Sequence, residues 1–306
     1  MRDDNQSSPF DLDRLRLRRA FERAAASHNR AAFLHREVGQ RLLERLDLIK
    51  MRPETILDVG CGVGQITAVL LKKYRKARVI GLELSPAMVA LARRRAPWLR
   101  TLHGAVAEPE ALPLPAASCD LIFSNLALPW ALDLDRVFAE FRRVLKPGGA
   151  LFFTTLGPDT LSELRRGWAA ADGYNHVNAF FDMHDIGDAL LRARLAEPVM
   201  DVERLTLTYP DVDGLMRDIK ALGAGNVTFG RPRGLTGKGR LQAMRAAYER
   251  CRRADGLLPV TCEVVYGHAW GRNRVKSAPP SAAQRFFLCR NCAGVIHKTR
   301  QPGLVS

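Results

Sequence analysis

The sequence predicts an α/β protein, a doubly wound and mostly parallel seven-stranded sheet with helices ahead of it and a helical insertion before the last strand. Three observations carry this expectation. Short aliphatic and β-branched runs alternate with longer amphipathic segments from Thr55 onward, a strand runs into a glycine loop at residues 56–64, and an acid-tipped second strand follows. Strands that alternate with helices form a parallel sheet covered on both faces.

Taken in order, residues 12–26 and 31–49 carry apolar positions at helical spacing without an internal proline, which predicts two helices closed off by Pro53. TILDVG, RVIGLEL, CDLIFSN and GALFFTT then read as buried strands, with helices over 65–74, 87–95 and 134–145 among them. Lys146-Pro147-Gly148-Gly149 is a structural turn ahead of the fifth strand. Beyond Thr155, helices are expected over 159–170 and 182–192, then a strand in VERLTLTYP, helices over 212–222 and 239–253, and a last strand in VTCEVVYGHAW.

At 306 residues and 47% hydrophobic, the chain suffices for one large core or a core with a small cap. Apolar runs such as residues 150–155 stop far short of the roughly 20 residues that cross a bilayer. The start, MRDDNQSSPFDLDR, has no apolar stretch of a secretory signal, so a soluble, cytoplasmic protein without a membrane partner is expected. Six scattered cysteines suit reduced thiols. Cys289 and Cys292, near His297, make only half a zinc set, so no metal is expected. The net charge of +15 is concentrated late: seven Lys or Arg and no acid over 271–306, and eight against Glu249 alone over 231–253. Such fields attract acidic partners.

The segment I-L-D-V-G-C-G-V-G joins a buried strand to a helix, where a ligand-binding turn belongs in an open α/β sheet. Gly60, Gly62 and Gly64 allow a tight turn and close approach of a ligand. Asp58 ahead of them, and GxGxG in place of the dinucleotide GxGxxG, favour a cationic ligand such as S-adenosylmethionine over a diphosphate. Glu83, nineteen residues beyond Gly64 with Leu84 beside it, is placed to accept ribose hydroxyls, and Ser85-Pro86 opens the next helix. Glu108, with Glu110 two residues on, stands where an acid commonly receives the adenine amino group.

Together these features resemble the class I S-adenosylmethionine-dependent methyltransferases over roughly residues 55–155. After strand four the chain reads SNLALPW, without the (N/D)PP(Y/F) cluster of enzymes that methylate amides and exocyclic amines and without a Pro-Cys nucleophile. A substrate already nucleophilic, such as a carboxylate, then needs alignment in an apolar slot rather than a base.

A narrower resemblance covers about residues 17–270. AFERAAASHNRAAFLHREVGQRLLERL, SNLALPW, FFTTLGPDTLSELR, HVNAFFDMHDIGDAL, IKALGAGNVTFGRPRGLTGKGRL and LPVTCEVVYG are similar to the malonyl-acyl-carrier-protein O-methyltransferases of biotin synthesis. That resemblance implies methylation of the free carboxyl of a malonyl thioester on an acidic carrier protein, met through Arg231, Arg233, Lys238 and Arg240. It implies that Asn125 and Trp130 line the transfer slot and that His176 and Phe180 meet the substrate, and Arg165 is the candidate clamp on its carboxylate. Where the family tends to show tyrosine near the N-terminal helix junction, this chain has His28. The organisation implied is a helical lid over 1–52, a domain over 53–270 with a cofactor half (53–157) and a substrate half (158–270), and a basic, poorly ordered tail over 271–306.

Two alternatives stand beside this reading. An arginine hydroxylase that assembles respiratory complex I shares a YPDVDGLM-like segment, although SNLALPW and GRPRGLTGKGRL favour the carrier methyltransferase. A non-catalytic nucleic-acid binder is disfavoured by the complete cofactor loop.

Overall fold

The computed structural model describes residues 10–232 and 234–272, which fall in one compact unit. Its centre is a seven-stranded sheet in the order β3-β2-β1-β4-β5-β7-β6. The strands are β1 Thr55–Val59, β2 Arg78–Glu83, β3 Leu102–Val106, β4 Cys119–Asn125, β5 Leu145–Leu156, β6 Ala196–Tyr209 and β7 Leu258–Trp270. Neighbours run parallel except at β7, which is antiparallel to both β5 and β6. Ile56 of β1 stands between Val79 of β2 and Leu121 of β4, so the strand that leads into the glycine loop lies mid-sheet. Helices cover both of its faces, which is why Ile56, Leu57, Asp58 and Val59 are all buried rather than alternating. Strand order reverses at β1 and β4, and their carboxyl ends form the crevice where such sheets bind ligands.

The helices start where the sequence supplies caps. Asp13, Ser85, Asp133, Asp182 and Asp211 each accept a backbone N–H at the start of α1 (Arg14–Ala31), α4 (Pro86–Arg95), α5 (Leu134–Val144), α7 (Met183–Arg192) and α8 (Val212–Leu222). The first helix runs past the expected residue 26 to Ala31, because nothing in SHNRA breaks it; the backbone turns at Ala32 and α2 (Phe33–Asp47) follows at once. The turn of 146–149 is a kink within β5: a Cβ on Gly149 would stand 3.0–3.1 Å from three carbonyl oxygens. β6 and β7 are longer than expected, paired from Ala196 with Trp270 to Tyr209 with Leu258, and β6 alternates because only one side of this edge strand meets the core.

Three further helices complete the frame: α3 (Gln65–Lys73), α6 (Ser162–Ala169) and α9 (Lys238–Glu249). Late segments build a cap core of their own, in which Leu164, Val177, Leu215, Met244, Tyr248 and Val260 come together. Helix α1 packs on α4 and α8, and the residues just ahead of it are fastened to the segment after α8 by Asp13 N–H donating to the Val227 carbonyl (2.9 Å) and Phe229 N–H to that of Asp11 (3.0 Å). No described helix is long and apolar enough to cross a membrane, and among the described residues no cluster of His, Cys, Asp and Glu is suited to a metal. Cys289, Cys292, Arg233 and the tail from 273 onward lie outside the described residues.

Candidate active site

The glycine loop is held under the end of β2, with the amides of Gly60 and Cys61 donating to the Leu82 carbonyl at 2.8 and 3.1 Å. Its glycines differ in what they do. A Cβ on Gly60, whose φ is +73°, would come within 2.3 Å of the Ala127 side chain, so this position lets the loop close on the segment after β4. A Cβ on Gly64 would press to 2.7 Å from Ala92 in α4, so that glycine serves helix packing. Gly62 is the open one, facing a cleft with only His28 nearby, 3.8 Å from where a Cβ would be.

That cleft brings together Asp58, the three loop residues Gly60, Cys61 and Gly62, Glu83, Leu84, Met88, Asn125 and Trp130, with Phe21, His28 and His35 contributed by α1 and α2. Two carboxylates dominate it. Asp58 is 2% exposed and accepts a hydrogen bond from the Thr67 hydroxyl at 2.5 Å. Burial pushes its pKa up to about 7 despite that donor, with the charge of Glu83 adding to the effect. Glu83, 7% exposed, accepts from the amides of Gly62 (3.1 Å) and Leu84 (2.7 Å), and burial raises its pKa against those bonds. Neither carboxylate has an ion-pair partner among the described residues. Buried acids left in this condition call for a ligand that brings a cation and hydroxyl donors. The amino-acid ammonium and ribose of S-adenosylmethionine answer that demand, so the residues present fit the group.

Glu108 is not part of this arrangement. It is exposed, lies outside the cleft and pairs with Arg14 (3.3 Å), and Glu110 is buried against Arg14 (2.9 Å) and the Leu132 amide (2.7 Å). The guanidinium that α1 brings across the loop claims both acids, which leaves Ala107 and Pro109 to line the cleft. The expectation of Glu108 as an adenine acceptor is therefore corrected.

A second, roomier cavity adjoins the first, and the two share His35, Leu126, Trp130, Leu222 and Ala224 as walls. Asn125, which lines the first, has both ends of its amide engaged: Nδ2 donates to the His35 carbonyl (2.8 Å) and Oδ1 accepts from the Thr154 hydroxyl (2.9 Å). It ties α2 to β5 at the mouth of β4. Leu126 follows at φ +55°, its amide held by Thr154, and this strained corner turns the chain into the short 3₁₀ turn of Leu128–Trp130. The indole of Trp130 is braced edge-on by Phe21, with ring centroids 5.3 Å apart.

Phe180 and His176 line the second cavity. The imidazole of His176 stacks on Trp168 at 3.9 Å and its Nε2 meets Asp172 at 2.7 Å. Arg165 does not reach the cavity: it is exposed and its guanidinium donates to the carbonyls of Pro158 (3.0 Å) and Thr160 (3.3 Å), bonds that hold the loop before α6, so its expected role as clamp is corrected. Arg231 likewise is folded inward, its side chain 12% exposed with Nη1 on the Thr228 carbonyl (2.7 Å), and offers no docking surface; Lys238 and Arg240 at the start of α9 are exposed.

Apart from His28, the cleft residues of the N-terminal helices are not singled out by the sequence. Phe21 follows the apolar spacing of α1 and His35 stands in a segment already noted for its resemblance, but nothing local in sequence says that this helix face closes over a glycine loop.

A family model described as a methyltransferase domain matches residues 57–153. The crystal structure of the YcgJ protein from Bacillus subtilis superposes with a TM-score of 0.55 at 16% identity, covering 78% of this chain and 99% of that one, a likeness of fold. This strand order, with buried acids about a glycine loop at the switch point, defines a class I methyltransferase. Relatives place it more narrowly. A malonyl-[acyl-carrier protein] O-methyltransferase from a Methylovorus species is 51% identical over 265 residues, 85% of this chain and 89% of the relative, and the one from Laribacter hongkongensis is 51% identical over 269 residues, 85% and 90%. The chain belongs to the malonyl-[acyl-carrier protein] O-methyltransferase family, and these relatives do not carry the hydroxylase name of the alternative reading.

Proposed function

We propose that the protein transfers a methyl group from S-adenosylmethionine to the free carboxyl of a malonyl thioester carried on acyl-carrier protein, the step that opens the pimeloyl branch of biotin synthesis. The observation that carries this reading is the kinship with the named methyltransferases at 51% identity, which spans 85% of the chain. When bound, S-adenosylmethionine supplies an electrophilic methyl group.

The roles of the residues follow from their environments. Asp58 and Glu83 take up the amino group and ribose hydroxyls, while Gly62 and Leu84 leave room for the ligand at the backbone. The second cavity, with Leu161, Leu164, Phe180, Leu207 and Val260 in its wall, receives the acyl thioester and its pantetheine arm. Trp130 and Leu126 at the junction exclude water, and a carboxylate stripped of water is a stronger nucleophile. No base is required, because methylation of a carboxylate oxygen releases no proton. Asn125 positions this junction through His35 rather than touching substrate. Residues 1–52 act as a lid, since α1 and α2 supply Phe21, His28 and His35 to the cleft. Lys238 and Arg240 meet the acidic carrier, steered by charge. We place the reaction in the cytoplasm, in keeping with free thiols at Cys61, Cys119, Cys251 and Cys262.

The test is incubation with methyl-labelled S-adenosylmethionine and malonyl-acyl-carrier protein, followed by intact-mass analysis of the carrier. One added methyl per carrier is expected. Its absence, under conditions where the protein binds the cofactor, refutes the assignment.

A further inference from the structure

We propose that an imidazole nitrogen of His35 donates the hydrogen bond that holds the substrate carboxyl at the junction of the two cavities, an inference that rests on the function proposed above. Of the five side chains that line both cavities, Leu126, Leu222 and Ala224 are aliphatic and Trp130 is an aromatic wall braced by Phe21. His35 is the imidazole among them. Neither of its ring nitrogens is engaged by a hydrogen bond among the described residues, and Nδ1 is shut off from solvent with no partner. Polar atoms buried in this way are uncommon in folded proteins, and in a binding site they mark a bond that the ligand completes.

The ring is also held in place. Asn125 pins the backbone of His35 through its carbonyl (2.8 Å), Thr154 pins Asn125 (2.9 Å), and the edge of the His35 ring meets His28 at 5.3 Å between centroids. His28 in turn lies over Gly62, the one loop glycine open to the cleft. His35 therefore stands between the cofactor loop and the acyl cavity, where the reacting carboxyl has to lie.

The chemistry suits a neutral donor. One carboxylate oxygen attacks while the other is free to accept a hydrogen bond, which fixes the orientation of the attack. An arginine would grip both oxygens and draw off the charge that makes them nucleophilic. Burial, followed by the neighbouring charges of His28 and Arg36, lowers the pKa of His35 to about 3, so the ring donates as a neutral imidazole at physiological pH. The imidazole proton stays on nitrogen throughout, as the transfer releases none.

The test is a comparison of carriers. With S-adenosylhomocysteine saturating the site, calorimetry measures binding of malonyl- and acetyl-acyl-carrier protein, which differ in the carboxylate. The wild-type protein is expected to prefer the malonyl carrier by about 10- to 100-fold, the range for a hydrogen bond to a charged group. His35→Phe is expected to erase that preference, lowering affinity for the malonyl carrier about 10- to 100-fold more than affinity for the acetyl carrier. His35→Gln, which keeps a donor, restores part of it. If His35→Phe does not fold, His35→Leu carries the same comparison without added bulk.

A preference that survives the loss of the imidazole overturns the proposal, as does an equal loss of affinity for both carriers or a wild-type protein with no preference. Failure of the underlying function reads differently: the wild-type protein then transfers no labelled methyl to the malonyl carrier, and the proposal falls with it. Methyl transfer by wild type with an unaltered preference in His35→Phe overturns the role of His35 alone.

Discussion

Asp58→Asn tests the electrostatics of the cofactor cleft, because the same substitution should stabilise the ligand-free protein and weaken the bound one. Folding raises the Asp58 pKa from 3.8 to about 7, so ionising it in the empty site costs the folded state energy. At about 1.36 kcal/mol per pKa unit the full cost is roughly 4 kcal/mol, an upper value since the site relaxes when charged. The sign is set by the direction of the shift. Below pH 3.8 the carboxyl is protonated in both states and costs nothing; the cost grows as pH rises and levels off above about 7. Urea unfolding of ligand-free Asp58→Asn is therefore expected to show a gain over wild type that is larger at pH 8 than at pH 5. Binding of S-adenosylhomocysteine, whose ammonium needs the ionised carboxylate, runs the other way. Wild-type affinity should fall as pH drops below about 7, approaching tenfold per unit as the proton competes. Asp58→Asn should bind weakly with a flatter pH response, leaving the contribution of Glu83. An equal stability gain at pH 5 and pH 8, or a wild-type affinity unchanged between pH 5 and pH 8, refutes the reasoning.

Gly60→Ala should destabilise more than Gly62→Ala in urea unfolding, although both sit at positive φ: strain of about 1–3 kcal/mol applies to each, but only the first adds a clash, 2.3 Å from Ala127. Gly62→Ala should show its main effect in weaker S-adenosylhomocysteine binding by calorimetry. Glu108→Gln should leave that affinity within about twofold, since a surface ion pair with Arg14 is all it loses. Lys238→Glu combined with Arg240→Glu should raise KM for the carrier in steady-state assays with kcat retained, and the effect should shrink as salt screens the charges.

The sheet was legible because its strands are buried runs whose order along the chain leaves few ways to wind a parallel sheet. Asp58, Gly60, Gly62 and Glu83 are legible for a related reason: each lies within three residues of a strand end, so position in the sequence sets position at the crevice, whereas Gly64, farther along, packs on Ala92 of α4 instead. Glu108 and Arg165 were misjudged where that link fails. Both carry the right chemistry, but the first is claimed by Arg14 from α1 and the second turns to carbonyls within its own loop. His35 is not legible in the sequence because its neighbours, Asn125 at the end of β4 and His28 in α1, come to it only through the fold. Helix ends were less legible than strands. α1 outran its expected end because SHNRA contains no breaker and tertiary contact with α4 and α8 holds the extra turns.

The arrangement of charge at the junction of the two cavities suits a reaction that needs no catalytic base. The cofactor side carries the carboxylates Asp58 and Glu83, the wall of the second cavity includes Asp218 and Arg30, and the exposed basic residues Lys238 and Arg240 stand on α9 outside both cavities. Between them the walls at Leu126, Trp130, Leu222 and Ala224 are uncharged, and His28 and His35 are held neutral by burial, at pKa values of about 4 and about 3. A substrate carboxylate that reaches the junction thus meets no charged side chain among the five walls that the two cavities share. When bound, S-adenosylmethionine would supply the positive charge that serves as counter-ion there, and attraction between the two would contribute to the alignment that the reaction requires. An arginine at the junction would bind substrate more tightly in the ground state and less productively in the transition state, where the carboxylate loses its charge. The neutral imidazole of His35 avoids that penalty, and the burial that leaves its Nδ1 unpaired is the same burial that keeps it neutral.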